Sequence, residues 1–188
     1  MSSREPVRVR VATTADAGAL ARLQDPDAGT GPLGPVGQGG RTHAERTARW
    51  RTWPLERPDD VLLVADAGQD PGTGGGPGAG GGPVGYVLAR CEPWHGMDAR
   101  VHALFVLPGH RRQGHGRALL HAAVTELWAR GCGPLGLATA EDDPARGWYD
   151  LLGGVLVADE IELVQGRQLR RVVYRWEAAS ELAHRLAV

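Results

Sequence analysis

The chain of 188 residues is long enough to fold as one domain around a hydrophobic core, and it does not require two. Its 42% apolar residues, 23% charged residues and net charge of −1 argue against a strongly basic nucleic-acid-binding protein. No apolar run approaches the roughly 18 residues that span a bilayer, and the first ten residues lack the apolar region of a secretory signal.

Strands and helices alternate along the predicted chain. In chain order we expect a strand at 7–12, helices at 15–24 and 41–53, strands at 61–66, 84–91 and 100–107, a helix at 114–130, a strand at 135–140, a short helix that stops at Gly153, strands at 155–163 and 169–177, and a helix at 178–187. The last two strands should be antiparallel. This order predicts a mixed α/β fold with about seven strands.

A segment made almost entirely of glycine and proline interrupts this order at 67–83. Such a composition cannot bury enough apolar surface to offset its ordering entropy, so we expect a flexible loop. Because it joins two predicted strands, it is interpreted as a loop within a single domain over 1–188. Whether it serves as a lid or is an inert insertion stays open.

The two cysteines, Cys91 and Cys132, lie far apart and show neither CxxC nor paired-histidine spacing. This argues against a zinc site and against a disulfide, and it predicts two buried free thiols. The pattern is typical of a reducing cytosol, so we expect a cytoplasmic protein without a metal. All 21 basic side chains are arginine, which indicates a GC-rich, bacterial genome.

The segment 101–124, VHALFVLPGHRRQGHGRALLHAAV, carries the strongest chemical signal. Gly114 and Gly116 stand between a predicted strand and a predicted helix, where the backbone N–H groups and the helix dipole can bind a pyrophosphate. A dinucleotide-binding fingerprint would need a third glycine where Leu119 stands. The G-K-[ST] of a Walker loop is also absent from the sequence.

The wider context of these glycines resembles a known family. Arg111-x-x-Gly114-x-Gly116, preceded by LFVLP and followed by RALL at 117–120, is similar to the acetyl-CoA signature of the GCN5-related N-acetyltransferases, the GNAT family. The downstream segment 145–153, ARGWYDLLG, resembles the A-x-x-F-Y-x-x-L-G helix of the same family. The resemblance implies a mostly antiparallel, seven-stranded sheet that is flanked by helices and splayed between its fourth and fifth strands, with coenzyme A in the splay.

The resemblance also implies roles for individual residues. The pantetheine arm would pair with the strand backbone at Leu104, Phe105 and Val106. The pyrophosphate would bind, mainly through backbone N–H groups, at Arg112, Gln113, Gly114, His115, Gly116 and Arg117. Tyr149 falls on the tyrosine that protonates the departing thiolate, and Asp142 falls where many members have an asparagine.

An attacking amine must lose a proton, so a base or a water path is required. His102 is the first candidate, because the histidine pKa suits this task and strand alternation places it on the face of Leu104. It could equally be a structural histidine. Glu92 and His95 are further candidates.

Five other side chains could have either a functional or a purely structural role. His110 and His115 are expected to face solvent. Three tryptophans lie in the expected acceptor region: Trp50, Trp53 and Trp94. They could either clamp the acceptor or form a stripe of core residues.

The implied function is N-acetylation. An amine would attack acetyl-CoA directly in a ternary complex, without an acyl-enzyme. The alternative is a non-catalytic acyl-CoA-binding sensor or scaffold, which would not need Tyr149. Expected partners are acetyl-CoA and an amine on a small molecule, an antibiotic or a protein amino terminus, with no nucleic acid and no membrane. A homodimer is left open.

Overall fold

The computed structural model describes residues 7–24, 42–67, 82–164 and 167–187. Its elements are β1 (Val9–Val11), α1 (Ala17–Leu23), α2 (His43–Glu56), β2 (Val61–Asp66), β3 (Pro83–Trp94), β4 (Met97–Val106), α3 (His115–Ala129), β5 (Leu135–Ala140), α4 (Arg146–Leu151), β6 (Val155–Val164), β7 (Arg167–Trp176) and α5 (Ala179–Ala187). The predicted order of strands and helices is confirmed, and β2 and β5 match the prediction at both ends.

All seven strands form one sheet in the order β1-β2-β3-β4-β5-β7-β6. Every pairing is antiparallel except that between β4 and β5. These two parallel strands pair only from Ala99↔Leu135 to Val101↔Leu137. Beyond Val101 both strands continue without pairing to each other, so the predicted splay between the fourth and fifth strands is confirmed.

Helices cover the sheet on both faces, and each face has its own apolar core. On one face the buried leucines of α3 and α5, such as Leu120 and Leu182, pack together with Tyr174 of β7. On the other face Leu20 of α1 and Trp50 of α2 pack against strands β2 and β3. The splay therefore opens between a face covered by α3 and α5 and a face covered by α1 and α2.

A β-bulge in β4 changes which face its side chains occupy. Leu88 of β3 pairs with Ala103, but the next residue of β3 pairs with Val101, so His102 is an extra residue. Val101 and Leu104 both pack on the α3 face, whereas His102 and Ala103 line a cavity on the α1–α2 face. The prediction that His102 shares a face with Leu104 is therefore wrong, because simple alternation fails across a bulge.

Cys91 and Cys132 form a disulfide with their Cα atoms 6.4 Å apart. The prediction of two free buried thiols is wrong, and Cys91 is exposed. Cys91 pairs with Ala99 of β4, and Ala99 pairs in turn with Leu135 at the start of β5. The sheet thus brings together two cysteines that the sequence separates.

Several predictions fall outside the described residues or are not tested by them. Most of the glycine-proline segment, 68–81, lies outside. In the described ranges, no helix is both long and apolar enough to cross a membrane. The same ranges hold no group of three or more His, Cys, Asp or Glu side chains suited to a metal ion. The single-domain assignment stays a prediction.

Candidate functional site

The loop that leaves β4 turns sharply into the first turn of α3. Arg112 has φ +57° and Gly114, the N-cap of α3, has φ +93°. In the described part of the chain, no backbone N–H of residues 112–117 donates to a backbone carbonyl; the first helical bond runs from Ala118 N to Gly114 O at 2.9 Å. Unpaired N–H groups and the dipole of a 15-residue helix together form a site for an anion such as a pyrophosphate.

Residues 112–117, here called the anion cradle, include two glycines, and each position favours glycine for a different reason. Gly114 adopts a positive φ that disfavours any side chain. At Gly116, by contrast, an added Cβ would meet only Cγ2 of Val106 at 3.8 Å, an ordinary contact. The fold itself therefore tolerates a side chain at Gly116, and glycine there keeps the approach to the helix N-terminus open.

Side chains of the loop hold its shape by bonding to backbone carbonyls. Arg111 donates from Nε to Val106 O at 3.0 Å, and Gln113 donates from Nε2 to Gly109 O at 2.9 Å. The side chain of Arg112 is exposed. These bonds fix the loop while its backbone N–H groups stay available.

Two side chains of the first turn of α3 point away from the cradle. His115 is only 6% exposed and donates through Nδ1 to His110 O at 3.2 Å. Burial lowers its pKa, and the expectation that His115 faces solvent is wrong. Arg117 donates from Nε to Leu186 O at 2.8 Å and so caps α5. Both residues can therefore serve the cradle only through their backbone N–H groups.

The end of β4 presents an open backbone edge to the splay. Leu104, Phe105 and Val106 pair with β3 along one edge. Their other edge faces β5, which no longer pairs with β4 at this point. An extended ligand with amide groups could pair with that edge, as expected for a pantetheine arm.

Tyr149 lies on α4, the helix that follows β5 across the splay. It is 6% exposed, and its ring centroid lies 5.5 Å from that of Tyr174 and 6.3 Å from that of Trp176. Burial, assisted by the charge of Asp143, raises the pKa of Tyr149. The hydroxyl therefore stays protonated at neutral pH and can act as an acid.

The loop between β5 and α4 is fixed by Asp143 rather than by Asp142. Oδ1 of Asp143 accepts from Ala145 N at 2.8 Å, and its other oxygen accepts from the hydroxyl of Thr139. Asp142 is exposed to solvent. Helix α4 begins at Arg146 with Ala145 as its N-cap, so Asp143 holds the loop ahead of the helix and does not cap the helix itself.

A cavity of about 260 Å³ lies between the sheet and helices α1 and α2. It is lined by Gln24, Arg49, Trp50, Trp53, Arg57, Tyr86, Leu88, Arg90, Arg100, His102 and Ala103. Gln24 links its floor, because it accepts from Trp50 Nε1 at 2.9 Å and donates to the Tyr86 hydroxyl at 3.2 Å. Trp50 and Trp53 are buried core residues that also line the cavity, so the core interpretation is confirmed for these two and the clamp stays a prediction.

His102 meets Glu92 at the edge of this cavity. Nε2 of His102 lies 2.6 Å from Oε1 of Glu92, and this contact is an ion pair only when the imidazole is protonated. Burial lowers the pKa of His102, and the charge of Glu92 opposes that shift. His95, the other candidate base, pairs with Glu160 at 2.7 Å and does not line the cavity. The structure thus brings two of the three candidate bases together.

Four arginines of the cavity lining were not singled out from the sequence. They are Arg49, Arg57, Arg90 and Arg100. Because all 21 basic residues of the chain are arginine, the residue type alone gives no signal. Strand spacing of Arg100 and His102, two apart in β4, could have placed them on one face.

Comparison with known proteins agrees with this geometry. The family model described as the acetyltransferase (GNAT) family matches residues 36–153, more than half of the chain. No curated protein sequence matches the chain.

Similar solved structures are also acetyltransferases. An N-acetyltransferase from Staphylococcus aureus Mu50 has a TM-score of 0.68 and 15% identity over 92% of this chain and 99% of that one. A ribosomal-protein-alanine N-acetyltransferase from Brucella melitensis has a TM-score of 0.66 and 21% sequence identity over 90% of this chain and 99% of that one. A phosphinothricin acetyltransferase from Sinorhizobium meliloti, solved with acetyl-CoA, has a TM-score of 0.68 and 17% sequence identity over 93% of this chain and 89% of that one. Because these sequence identities are low, the similarity to these structures shows a shared fold and not a shared substrate.

Proposed function

The chain belongs to the GNAT family of acetyltransferases, and from that premise we propose that it transfers an acetyl group from acetyl-CoA to an amine held in the α1–α2 cavity. One observation carries the proposal. The unpaired backbone edge of residues 104–106 connects the anion cradle at the N-terminus of α3 with His102, which lies just before that edge in β4 and lines the cavity.

The residues present fit acetyl-CoA in two places. The backbone N–H groups of 112–117 would hold the pyrophosphate, with Gly116 leaving room for it. The backbone of Leu104, Phe105 and Val106 would pair with the pantetheine amides. A backbone N–H near Phe105 or Val106 would then stabilise the oxyanion as the thioester is attacked.

The chemistry needs two proton transfers, and the site offers a group for each. His102 takes the proton that the amine loses as its nitrogen forms a bond to the acetyl carbon. The carbon–sulfur bond breaks, and Tyr149 gives its proton to the departing thiolate. Protons exchanged with water return both side chains to their starting states. The lowered pKa of His102 and the raised pKa of Tyr149 give each group the protonation state that its role requires at neutral pH.

The sensor alternative is not favoured, because binding alone gives no reason for a cavity-lining histidine that is in contact with a carboxylate. The cytoplasmic location, the bacterial source and the homodimer stay predictions. The expectation of a cytoplasmic protein was based partly on two free cysteines. Because Cys91 and Cys132 form a disulfide, that reason no longer applies.

The test is release of free thiol from acetyl-CoA in the presence of a panel of amines. Release above the rate of acetyl-CoA hydrolysis, with at least one amine, is the expected result. Acetyl-CoA should also raise the melting temperature of the protein, since it binds the folded state. Thermal stabilisation without thiol release across the panel would instead support the sensor.

A further inference from the structure

The cavity lining is cationic. Four arginines and His102 contribute to it, and no carboxylate lines it within the part of the chain that the structure describes. The nearest carboxylates are already engaged by one of these arginines. Arg90 donates to both oxygens of Asp60 at 2.6 and 2.8 Å and to Oε2 of Glu92 at 3.0 Å. Asp60 and Glu92 thereby compensate the charge of Arg90.

Two of those arginines flank an aromatic ring of α2. The guanidinium carbon of Arg49 lies 5.1 Å from the ring centroid of Trp53, and that of Arg57 lies 5.4 Å from it. Such cation–π contacts hold a guanidinium in place against the ring. Arg49, Arg57 and Trp53 all line the cavity.

Arg100 is the cation that most needs an anionic partner. Its Nε is buried and has no hydrogen-bond acceptor among the described residues, and its guanidinium carbon lies 4.0 Å from the ring centroid of Trp94. Burial and the charge of Arg171 lower its pKa, although three carboxylates oppose this. Each of those carboxylates also contacts another basic side chain: Glu160 contacts His95, Glu92 contacts Arg90, and Glu162 contacts Arg171.

Arg100 is also placed correctly relative to the candidate base. It lies two residues before His102 on the same strand, and both side chains line the cavity. A ligand in this cavity could therefore bond to Arg100 and present an amine to His102 at the same time.

We infer that the acceptor is a small amine that also bears a carboxylate, held by Arg100 while its amine faces His102. The inference rests on the proposed function and narrows its substrate class. The cavity of about 260 Å³ is below the roughly 300 to 1,000 Å³ of usual ligand pockets, which favours an acceptor of amino-acid size. A guanidinium binds a carboxylate through two parallel hydrogen bonds, so Arg100 would orient this acceptor as well as attract it.

The experiment compares α- and β-amino acids with their own carboxamides as acceptors, with spermidine as a polycationic acceptor. Thiol release should be at least tenfold faster, in kcat/KM, with the acids than with the amides. Arg100→Gln should remove most of that preference, measured as the ratio of kcat/KM for each acid to that for its amide, while leaving the stabilisation by acetyl-CoA unchanged. Arg170→Gln is the matched control, because it removes the same charge from a side chain that is 74% exposed and outside the cavity.

A second readout separates this inference from the proposed function. Binding of the same amino acids is measured by calorimetry in the presence of coenzyme A, with the wild-type protein and Arg100→Gln. Binding that depends on Arg100 supports the carboxylate site even if no amine supports thiol release, which would overturn only the proposed function. Thiol release that is equal for acids and amides, or fastest with spermidine, overturns the inference and leaves acetyl transfer standing.

Discussion

His102 of β4 and Glu92 of β3 are in contact, with Nε2 of one 2.6 Å from Oε1 of the other. Two features of the sheet produce the contact. The register between β3 and β4 shifts after Cys91, and the bulge turns His102 onto the α1–α2 face. Arg90 holds the far oxygen of Glu92 at 3.0 Å, so the carboxylate is fixed from both sides. A partly buried imidazole beside a fixed carboxylate has a pKa that depends on that carboxylate.

Glu92→Gln should move the acid side of the pH–rate profile to lower pH. The charge of Glu92 raises the pKa of His102 against the lowering effect of burial, so its removal lowers that pKa further. His102 accepts a proton only when neutral, and kcat/KM therefore rises with pH through its pKa. The profile is measured between about pH 5 and pH 8, where histidine titrates.

The control for this prediction is Glu177→Gln, which removes an exposed carboxylate bonded to Arg175. Its profile should match that of the unmodified protein. His102→Gln should lose the acid limb altogether. A midpoint that stays in place or moves to higher pH in Glu92→Gln would show that His102 is not the titrating base.

Gly116→Glu should abolish binding of acetyl-CoA without unfolding the protein. A Cβ at this position makes only an ordinary contact with Val106, but the carboxylate would occupy the cradle and repel a pyrophosphate. A ligand at 100 times its dissociation constant stabilises a protein by about 2.7 kcal/mol, and this stabilisation should disappear.

The matched control adds the same side chain elsewhere. Gly147 lies on the exposed side of α4, and a Cβ there meets nothing within 4 Å. Gly147→Glu should keep the full rise in melting temperature with acetyl-CoA. Equal stabilisation of the two variants would place the pyrophosphate somewhere other than the N-terminus of α3.

The disulfide should contribute substantially to stability when it is formed. Cys91 and Cys132 are separated by 41 residues, and closing a loop of that length removes unfolded-state entropy worth about 4 kcal/mol. Cys91→Ser should lower the free energy of unfolding by an amount of that order, measured by urea denaturation under oxidising conditions. Under reducing conditions the two proteins should differ little.

A thiol count tests the bond itself. The chain has two cysteines, so the oxidised protein should show no reactive thiol after denaturation and the reduced protein should show two. Two thiols in protein purified without reductant would mean that the bond does not form under those conditions, and the cysteine argument for the cytosol would regain its weight.

Local sequence patterns predicted the elements and the turn into α3 well. Alternation and glycine placement identify β2, β5 and the turn into α3 because each signal lies within one short stretch of chain. The end of α2 was less predictable. The helix expected over 41–53 ends just before Pro54, yet in the structure it runs to Glu56. A proline in the last turn removes only one hydrogen bond, and Arg57 N still donates to Trp53 O at 2.9 Å.

What the sequence did not predict depends on contacts between distant strands. The bulge at His102 exists only relative to its partner strand, and the disulfide depends on the order of three strands. The role proposed for Arg100 depends on the cavity that it lines together with residues of α2, and on the absence of a hydrogen-bond acceptor at its Nε among the described residues. Periodicity within one strand carries none of this information.

Tyr149→Phe should lower kcat by roughly 10²- to 10⁴-fold, the usual contribution of a positioned acid. Tyr149 packs against Tyr174 and Trp176, and phenylalanine keeps the ring that makes these contacts. Melting temperature and stabilisation by acetyl-CoA should therefore change little. The KM for acetyl-CoA should also stay close to its original value, since the lost interaction belongs to the transition state.

The pH profile distinguishes an acid from a packing residue at this position. Because burial raises the pKa of Tyr149 above its usual value, the unmodified protein should keep its kcat well into the alkaline range. In Tyr149→Phe the proton must come from water, so the rate should depend on the leaving group. The variant should recover most of its relative activity with a thioester whose thiol has a lower pKa than coenzyme A, because that thiolate leaves without protonation. An equal kcat in the two proteins, or an equal loss with both thioesters, would remove Tyr149 from the proton transfer and leave it as a core aromatic.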